Sequence, residues 1–244
     1  MRPKVIVLMY HNIGIPPRGA TLRSLYVSPR MFRFQMWYLK AAGFRVVSLR
    51  EILAFTNGTR DDEKMVALTF DDGFHDFYEN AYPVLKCYGY PSTVFLVSDL
   101  VGRENVWDSA NLGVTKKLLD WDRIKELNDA GVTFGSHTKT HPFLTRLPDR
   151  EIEDEVRGSK TALEERLGRP VEFFCYPYGD YDEKVLDAVK NAGYAGAITT
   201  KRGLIHRGDD AFSMRRSFIR LNTHPLSFLW KLHSRYEDRK GQRR

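Results

Sequence analysis

Apolar positions along the chain gather into short runs rich in β-branched residues. They lie at Lys4–Tyr10, Phe44–Leu49, Met65–Phe70, Ser92–Val97, Val132–Phe134, Val171–Cys175 and Tyr194–Ile198. Runs of this length, bounded by turn residues, predict β-strands. An eighth follows at Phe218–Leu221. Between most of them the pattern turns helical. Pro29–Ala42 follows Ser28, a good N-cap, and has proline at its first position. Trp121–Ala130 follows Asp120 and stops at Gly131. The densely charged stretch Asp149–Leu167 carries Ile152, Val156, Ser159 and Leu163 on one helical stripe and stops at Gly168. Tyr181–Ala192 ends at Gly193, and 57–63 reads as a loop.

Strands alternating with helices imply a parallel sheet joined by right-handed crossovers. Seven or eight such units predict an α/β fold, a distorted parallel (β/α)7-8 barrel. His11, Asp71-Asp72, His137 and Tyr176–Tyr178 each fall just past a strand run. In a β/α barrel the C-terminal ends of the strands share one face, which is where active sites are built. Residues distant in sequence are thereby brought together. No low-complexity stretch or Pro/Gly linker divides the chain. Residues 1–225 therefore read as one barrel, with a basic amphipathic helix and tail at 226–244.

Composition narrows the classes. Of 244 residues, 42% are hydrophobic and 13% aromatic, enough to bury a core and to exclude disorder over most of the length. Two cysteines exclude a disulfide framework and a Cys-rich zinc module. No apolar run nears the ~18 residues of a membrane-spanning helix. The first apolar stretch, Val5–Tyr10, is only six residues long, too short for a secretory signal. The expectation is a cytoplasmic location, with peripheral contact at the inner membrane face as an option.

Charge is unevenly placed. The net is +7, but residues 201–244 hold 12 basic and 4 acidic side chains, leaving 26 and 27 for residues 1–200. One reading of the basic end is a terminal helix packed on the body with a solvated tail. The other is contact with an anionic membrane or a lipid-linked sugar. Nucleic acid is not expected, since no recognition motif accompanies the charge.

Two clusters carry candidate chemistry. Thr69-Phe70-Asp71-Asp72-Gly73 sets adjacent carboxylates at a strand end. Neighbouring side chains leaving a strand diverge, so one can bind a metal while the other takes a proton; the alternative is a solvated Asp-Gly turn. Gly135-Ser136-His137-Thr138-Lys139-Thr140-His141 spaces two histidines four apart. On a helical turn they would share a face and suit one metal; the alternative is a capping or surface pair. Thr138 stands where the zinc-protease motif requires glutamate. Two histidines and an aspartate would leave positions open for water and substrate, as a catalytic metal needs.

TFDDG, HTKTH and Tyr176-Pro177-Tyr178-Gly179, in that order, resemble the polysaccharide deacetylases, carbohydrate esterase family 4, over Val66 to Ile198. The resemblance implies a distorted β/α barrel and hydrolysis of an N-acetyl group on a saccharide, releasing acetate and a free amine. It implies that Asp72, His137 and His141 hold a divalent metal, usually Zn2+, with Co2+ or Ni2+ as alternatives. Asp71 would be the general base, and a backbone N–H near Tyr178 would face the developing oxyanion. Tyr176 and Tyr178 would lie on the substrate side.

Two departures from the family stand out. Members often place the acid histidine in a Leu-x-His motif; Leu221-Asn222-Thr223-His224 is one residue too long. Tyr10-His11 is similar to the Tyr-His motif of a branch that includes poly-N-acetylglucosamine deacetylases, where the N-terminal histidine is the acid. His11 is therefore preferred to His224. Members also carry an arginine that orients the catalytic aspartate, where this chain has Cys175. Arg216, just before the eighth apolar run, is the expected substitute, ahead of Arg215. Trp107, in a long loop after the fourth strand, is the candidate sugar-stacking residue, while Cys87 reads as an inert packed thiol and Trp230 as a core or interface aromatic. Two rival functions remain: a catalytically silent carbohydrate-binding protein of this fold, and a hydrolase of a non-sugar amide.

Overall fold

The computed structural model describes residues 4–59, 64–107 and 114–241. Residues 60–63 of the expected loop and 242–244 of the basic tail lie outside them. The strands are β1 Lys4–Tyr10, β2 Asn12–Ile13, β3 Tyr26–Val27, β4 Arg45–Val46, β5 Lys64–Phe70, β6 Thr93–Leu96, β7 Thr133–Ser136, β8 Phe173–Cys175, β9 Gly196–Arg202 and β10 Met214–Phe218. Pairing runs β1-β10-β9-β8-β7-β6-β5, and β5 pairs back onto β1. Every neighbour is parallel, so seven strands close a barrel. The closing pair is in continuous register from Lys4↔Lys64 to Tyr10↔Phe70. β4 stands outside the ring, against the N-terminal half of β5, while β6 takes the C-terminal half of that edge. β2 and β3 form a separate two-stranded sheet.

Strand alternation divides the interior into two cores. One parity, with Ile6, Leu8 and Tyr10 of β1 and Val66, Leu68 and Phe70 of β5, faces outward. It packs on helices such as Pro29–Ala41, through Phe32, Met36 and Leu39. The other parity fills the barrel with Val5, Val7, Met65, Ala67, Phe95, Phe173, Cys175, Ile198 and Met214, joined by Leu49, Ile52 and Phe55 of helix Leu49–Thr56. Gly135 belongs to this inner set. A Cβ there would lie 2.4 Å from the Phe95 ring and 2.9 Å from the Phe173 carbonyl oxygen, so glycine is what admits the ring.

The helices keep their sequence signals. Ser28 caps Met31 N–H, Asp120 caps Arg123 N–H, and the stripe Ile152, Val156, Ser159, Leu163 is buried. Helix 149–167 is interrupted by one wider π turn, Asp154–Gly158. Two strand expectations change. Phe44–Leu49 is extended only over Arg45–Val46, because Ser48 and Glu51 form a reciprocal capping box that starts a helix at Leu49. The eighth strand is Met214–Phe218 rather than Phe218–Leu221. Its inward row includes a buried arginine, which a search for apolar runs passes over.

Helix Pro225–His233 packs on the barrel. In helix Pro225–His233, Phe228 and Leu232 join the outer core, so no break in packing falls at residue 225. Cys87, expected to be packed, is exposed, and Trp230 lies outside the core. Among the described residues, no helix is long and apolar enough to cross a membrane.

Candidate active site

Asp71 follows β5 on the inward row of Met65, Ala67 and Thr69, so it points into the barrel mouth. His11 follows β1, whose last residue pairs with the last residue of β5. The two are therefore set side by side, with His11 Nε2 3.8 Å from Asp71 Oδ2. Arg216 lies on the inward row of β10. Its Nη1 and Nη2 donate to Asp71 Oδ1 and Oδ2 at 2.7 and 2.8 Å. Nε donates to the Thr199 carbonyl at 2.8 Å, and Nη1 also reaches Thr69 Oγ1 at 3.2 Å. Nη2 lies 3.3 Å from Cys175 Sγ, so the guanidinium meets the residue that stands in the arginine position of the third motif. Burial opposes ionisation of both partners. Their mutual charge and hydrogen bonds outweigh it, holding Asp71 below the usual carboxylate range and Arg216 above its ordinary value.

Asp72 turns away from Asp71 through a left-handed backbone, φ 72°, and Gly73 continues the turn at φ 69°. A Cβ on Gly73 would approach Leu96 Cδ2 to 2.7 Å, so both its conformation and its space favour glycine. Asp72 Oδ1 lies 3.4 Å from His137 Nε2 and 3.5 Å from His141 Nε2. Burial opposes its ionisation, but the two histidines outweigh it and keep the carboxylate charged.

The histidines do not share a helical turn. Residues 137–141 form an irregular loop with Thr138 and His141 in the left-handed region. The loop, not a helix repeat, brings their rings to 4.7 Å. Its backbone is tied down at several points. His141 N–H donates to Thr138 Oγ1 at 2.9 Å. Lys139 and Thr140 N–H both donate to Glu155 Oε2, at 2.8 and 3.0 Å. Glu155 sits on the π turn of helix 149–167. Among the described residues the four non-glycine residues at positive φ are Asp72, Thr138, His141 and Tyr178, one or two in each motif. Such backbone persists where surrounding bonds over-determine it, and it gathers at functional sites.

These donors fit a divalent metal. Ligand atoms of Asp72, His137 and His141 all lie within 4.8 Å of one another and all three residues are buried. His137 Nδ1 is 2.6 Å from the Cys175 carbonyl. A carbonyl only accepts, so Nδ1 donates to it, and Nε2, on the Asp72 side, is the atom left to serve as a metal ligand. Two imidazoles and a carboxylate are a zinc-type donor set, and the carbonyl is the kind of outer partner that orients a ligating histidine.

A cavity of about 630 Å³ opens above these groups. Trp107 lies on its wall, stacked on the His141 ring at 4.6 Å. Tyr178 packs edge-on against His141 at 4.6 Å and stacks on Phe143 at 4.0 Å. Tyr176 also borders the cavity, but it is fully buried and its hydroxyl donates to the Phe212 carbonyl at 3.0 Å. His224 stands apart from the cluster as the exposed N-cap of helix Pro225–His233, accepting from Ser227 N–H at 3.4 Å. Sequence reasoning passed over Glu155, Thr69 and Phe143. Glu155 is one acid in a charged helix, Thr69 is part of an ordinary strand, and Phe143 has no motif.

Comparison with known proteins places this geometry. A family profile described as polysaccharide deacetylase matches residues 58–197. The YxkH protein of Bacillus subtilis (strain 168) is 31% identical over 214 residues, 87% of this chain and 70% of that protein. A poly-beta-1,6-N-acetyl-D-glucosamine N-deacetylase of Staphylococcus aureus (strain MSSA476) is 28% identical over 181 residues, 70% of this chain; the match spans 60% of the staphylococcal enzyme. Among solved structures, the Streptococcus pyogenes deacetylase PplD, in complex with acetate, superposes with a TM-score of 0.82 at 29% identity, covering 96% of this chain and 100% of that one.

Proposed function

The chain belongs to the polysaccharide deacetylase family, and from that premise we propose that it is a metal-dependent hydrolase removing N-acetyl groups from an N-acetylated saccharide. The observation that carries the proposal is the convergence of Asp72, His137 and His141 donors beside an Asp71 locked by Arg216. Zn2+ is the metal this donor set suits best, with Co2+ or Ni2+ as substitutes.

When bound by Asp72, His137 and His141, the metal supplies Lewis-acid polarisation of the amide carbonyl and acidifies a water. The chain's own residues do the rest. Asp71, kept ionised by Arg216, accepts the proton of the attacking water. The backbone N–H of Tyr178 donates to the oxygen on which negative charge develops. His11 donates a proton to the departing amine, without which an amide nitrogen is a poor leaving group. Burial lowers the pKa of His11, with Asp71 and Asp72 pulling the other way. A lowered pKa makes the protonated ring a readier donor. Trp107 and Tyr178 offer aromatic faces to the sugar, and Tyr176 supports the floor.

Metal content and acetate release, measured on the same preparations, test this reading. The native protein is expected to carry one divalent ion per chain and to release acetate from N-acetylglucosamine oligomers, β-1,6-linked and β-1,4-linked being compared. Asp72→Ala should lose both metal and activity. Asp71→Asn and His11→Ala should keep the metal and lose most of the activity. Metal bound by native protein that cleaves no N-acetyl sugar would turn the reading toward another amide.

A further inference from the structure

A second cavity of about 610 Å³ opens beside the first, and Arg202, Phe218 and Arg220 line both. Phe218 links the two: its ring lies 5.3 Å from the His11 ring, and it also borders the outer cavity. Helix Pro225–His233 contributes Leu226, Trp230 and Lys231 to the outer lining. The cations of that lining are already engaged. Arg202 and Lys231 share the buried Glu237, which accepts from Arg202 Nε at 2.9 Å, from Arg202 Nη2 at 3.0 Å and from Lys231 Nζ. Arg220 lies 4.3 Å over the Phe218 ring. The cleft therefore sets no charge aside for an ionic ligand. What it offers is apolar surface beside neutral polar groups. Leu226 is 74% exposed and Trp230 56%, and among the described residues no other ring stacks on Trp230. Asn222 adds an exposed carboxamide to the lining. The Ser227 hydroxyl donates to the His224 carbonyl at 2.9 Å, which leaves its oxygen to accept. A neutral pyranose has the matching division, C–H faces that bury against an aromatic ring and a rim of hydroxyls and amides that exchange hydrogen bonds. An alkyl chain in the same place would cover the polar groups without pairing them.

We propose that this second cleft is an outer subsite for a neutral sugar unit of the same glycan chain that is deacetylated next door, with Trp230 as its stacking platform. The substrate is then an oligosaccharide or polysaccharide and not a lone sugar. The inference rests on the proposed deacetylase reading for the chemistry next door, but not for binding in the cleft. The continuity of the two cavities carries it: a chain held at His11 and leaving past Phe218 enters the cleft that Trp230 borders.

Oligomers of N-acetylglucosamine from dimer to hexamer, in β-1,6 and β-1,4 linkage, test it with the full, metal-loaded protein. In the linkage that is cleaved, kcat/KM is expected to rise with length and to level off once the chain fills the outer cleft. The hexamer should exceed the dimer by roughly three- to tenfold, the scale of one aromatic contact. No charge pair is involved, so added salt should leave that ratio in place. Trp230→Ala should bring the ratio toward one. Trp37→Ala removes a tryptophan of similar exposure, 53%, that lines neither cavity, and should keep the native ratio. Equal kcat/KM at every length, or a length dependence that survives Trp230→Ala, overturns the proposal. So does an alkyl N-acetylglucosaminide that matches the hexamer, because the cleft would then take a lipid chain. If no oligomer releases acetate, the deacetylase reading fails by itself. Calorimetric binding of the hexamer then decides the cleft. Weaker binding to Trp230→Ala than to native protein and Trp37→Ala sustains it; equal binding, or none, ends it.

Discussion

Arg216 reaches from β10 past the intervening strand β1 to grip Asp71 at the end of β5, one guanidinium nitrogen on each carboxylate oxygen at 2.7 and 2.8 Å. The contact spans 145 residues of sequence and lies inside the barrel, away from solvent. Its guanidinium also touches β5 through Thr69, β9 through the Thr199 carbonyl and β8 through Cys175. One side chain on β10 thus fixes the orientation of the proposed base through contacts with three further strands. It also provides the charge that keeps that base ionised at its buried position.

Breaking that pair leaves a charged group buried without its partner, an effect of about 3–5 kcal/mol. Arg216→Met is therefore expected to lower unfolding stability by that amount, measured by urea denaturation at pH 7. The same change in an Asp71→Asn background should cost clearly less, because no buried carboxylate is then orphaned. Arg216→Lys keeps a charge but loses the fork, so it should fall between native and Arg216→Met. Equal losses in both backgrounds would mean that the two side chains do not act as a pair.

Metal removal gives the second expectation. A ligand that binds only the folded chain stabilises it by mass action. Chelation should lower the melting temperature of the native protein, and zinc should restore it in a concentration-dependent way. In Asp72→Ala and His137→Ala the melting temperature should no longer respond to chelator or zinc, while Asp71→Asn should respond like native protein. A native melting temperature indifferent to zinc would remove Asp72, His137 and His141 as a metal site.

Much of this was legible in the sequence, and the exceptions share a cause. Lys4–Tyr10 and the stripe on 149–167 are local patterns, and both appear where periodicity puts them. Asp71, Asp72, His137 and His141 come together because strand ends in a closed parallel barrel share one face. Register was not legible. That Tyr10 pairs with Phe70, setting His11 beside Asp71, depends on β1 closing the ring against β5, which no local signal encodes. The strand carrying Arg216 was placed too late because its charge interrupts the apolar run. The helix at Leu49 was signalled by Ser48 and Glu51 but masked by the apolar residues around it. The histidine loop depends on left-handed Thr138 and His141, conformations that side-chain identity does not announce.

Glu155 gives a third expectation. It touches neither the carboxylate nor the imidazoles; it receives two loop N–H groups and the Thr140 hydroxyl, at 2.6 Å for the latter. Its effect should pass through loop geometry. Glu155→Ala is expected to weaken zinc binding by about 10–100-fold, the range found for supporting partners of metal ligands. At saturating zinc, kcat should recover much of its native value. Unchanged zinc affinity in a folded Glu155→Ala protein would reduce Glu155 to an ordinary surface acid.

The anchoring of the C-terminal helices carries a pH dependence with a definite sign. Burial favours protonation of Glu237, but hydrogen bonds from Arg202 and the charge of Lys231 outweigh it, so its folded pKa lies below the ordinary glutamate value. In the unfolded chain the carboxyl titrates near about 4.3. As pH falls, the unfolded state takes up the proton first. The stability Glu237 contributes is therefore fully present above its unfolded pKa and is lost as pH falls through the folded value. Urea unfolding of native protein and Glu237→Gln, compared from pH 7 downward, should show a constant gap to about pH 5 and a closing gap below it. Protonation of Asp and His residues elsewhere affects both proteins alike and drops out of the difference. A gap that stays constant to pH 3 would mean that Arg202 and Lys231 do not hold the charged form of Glu237.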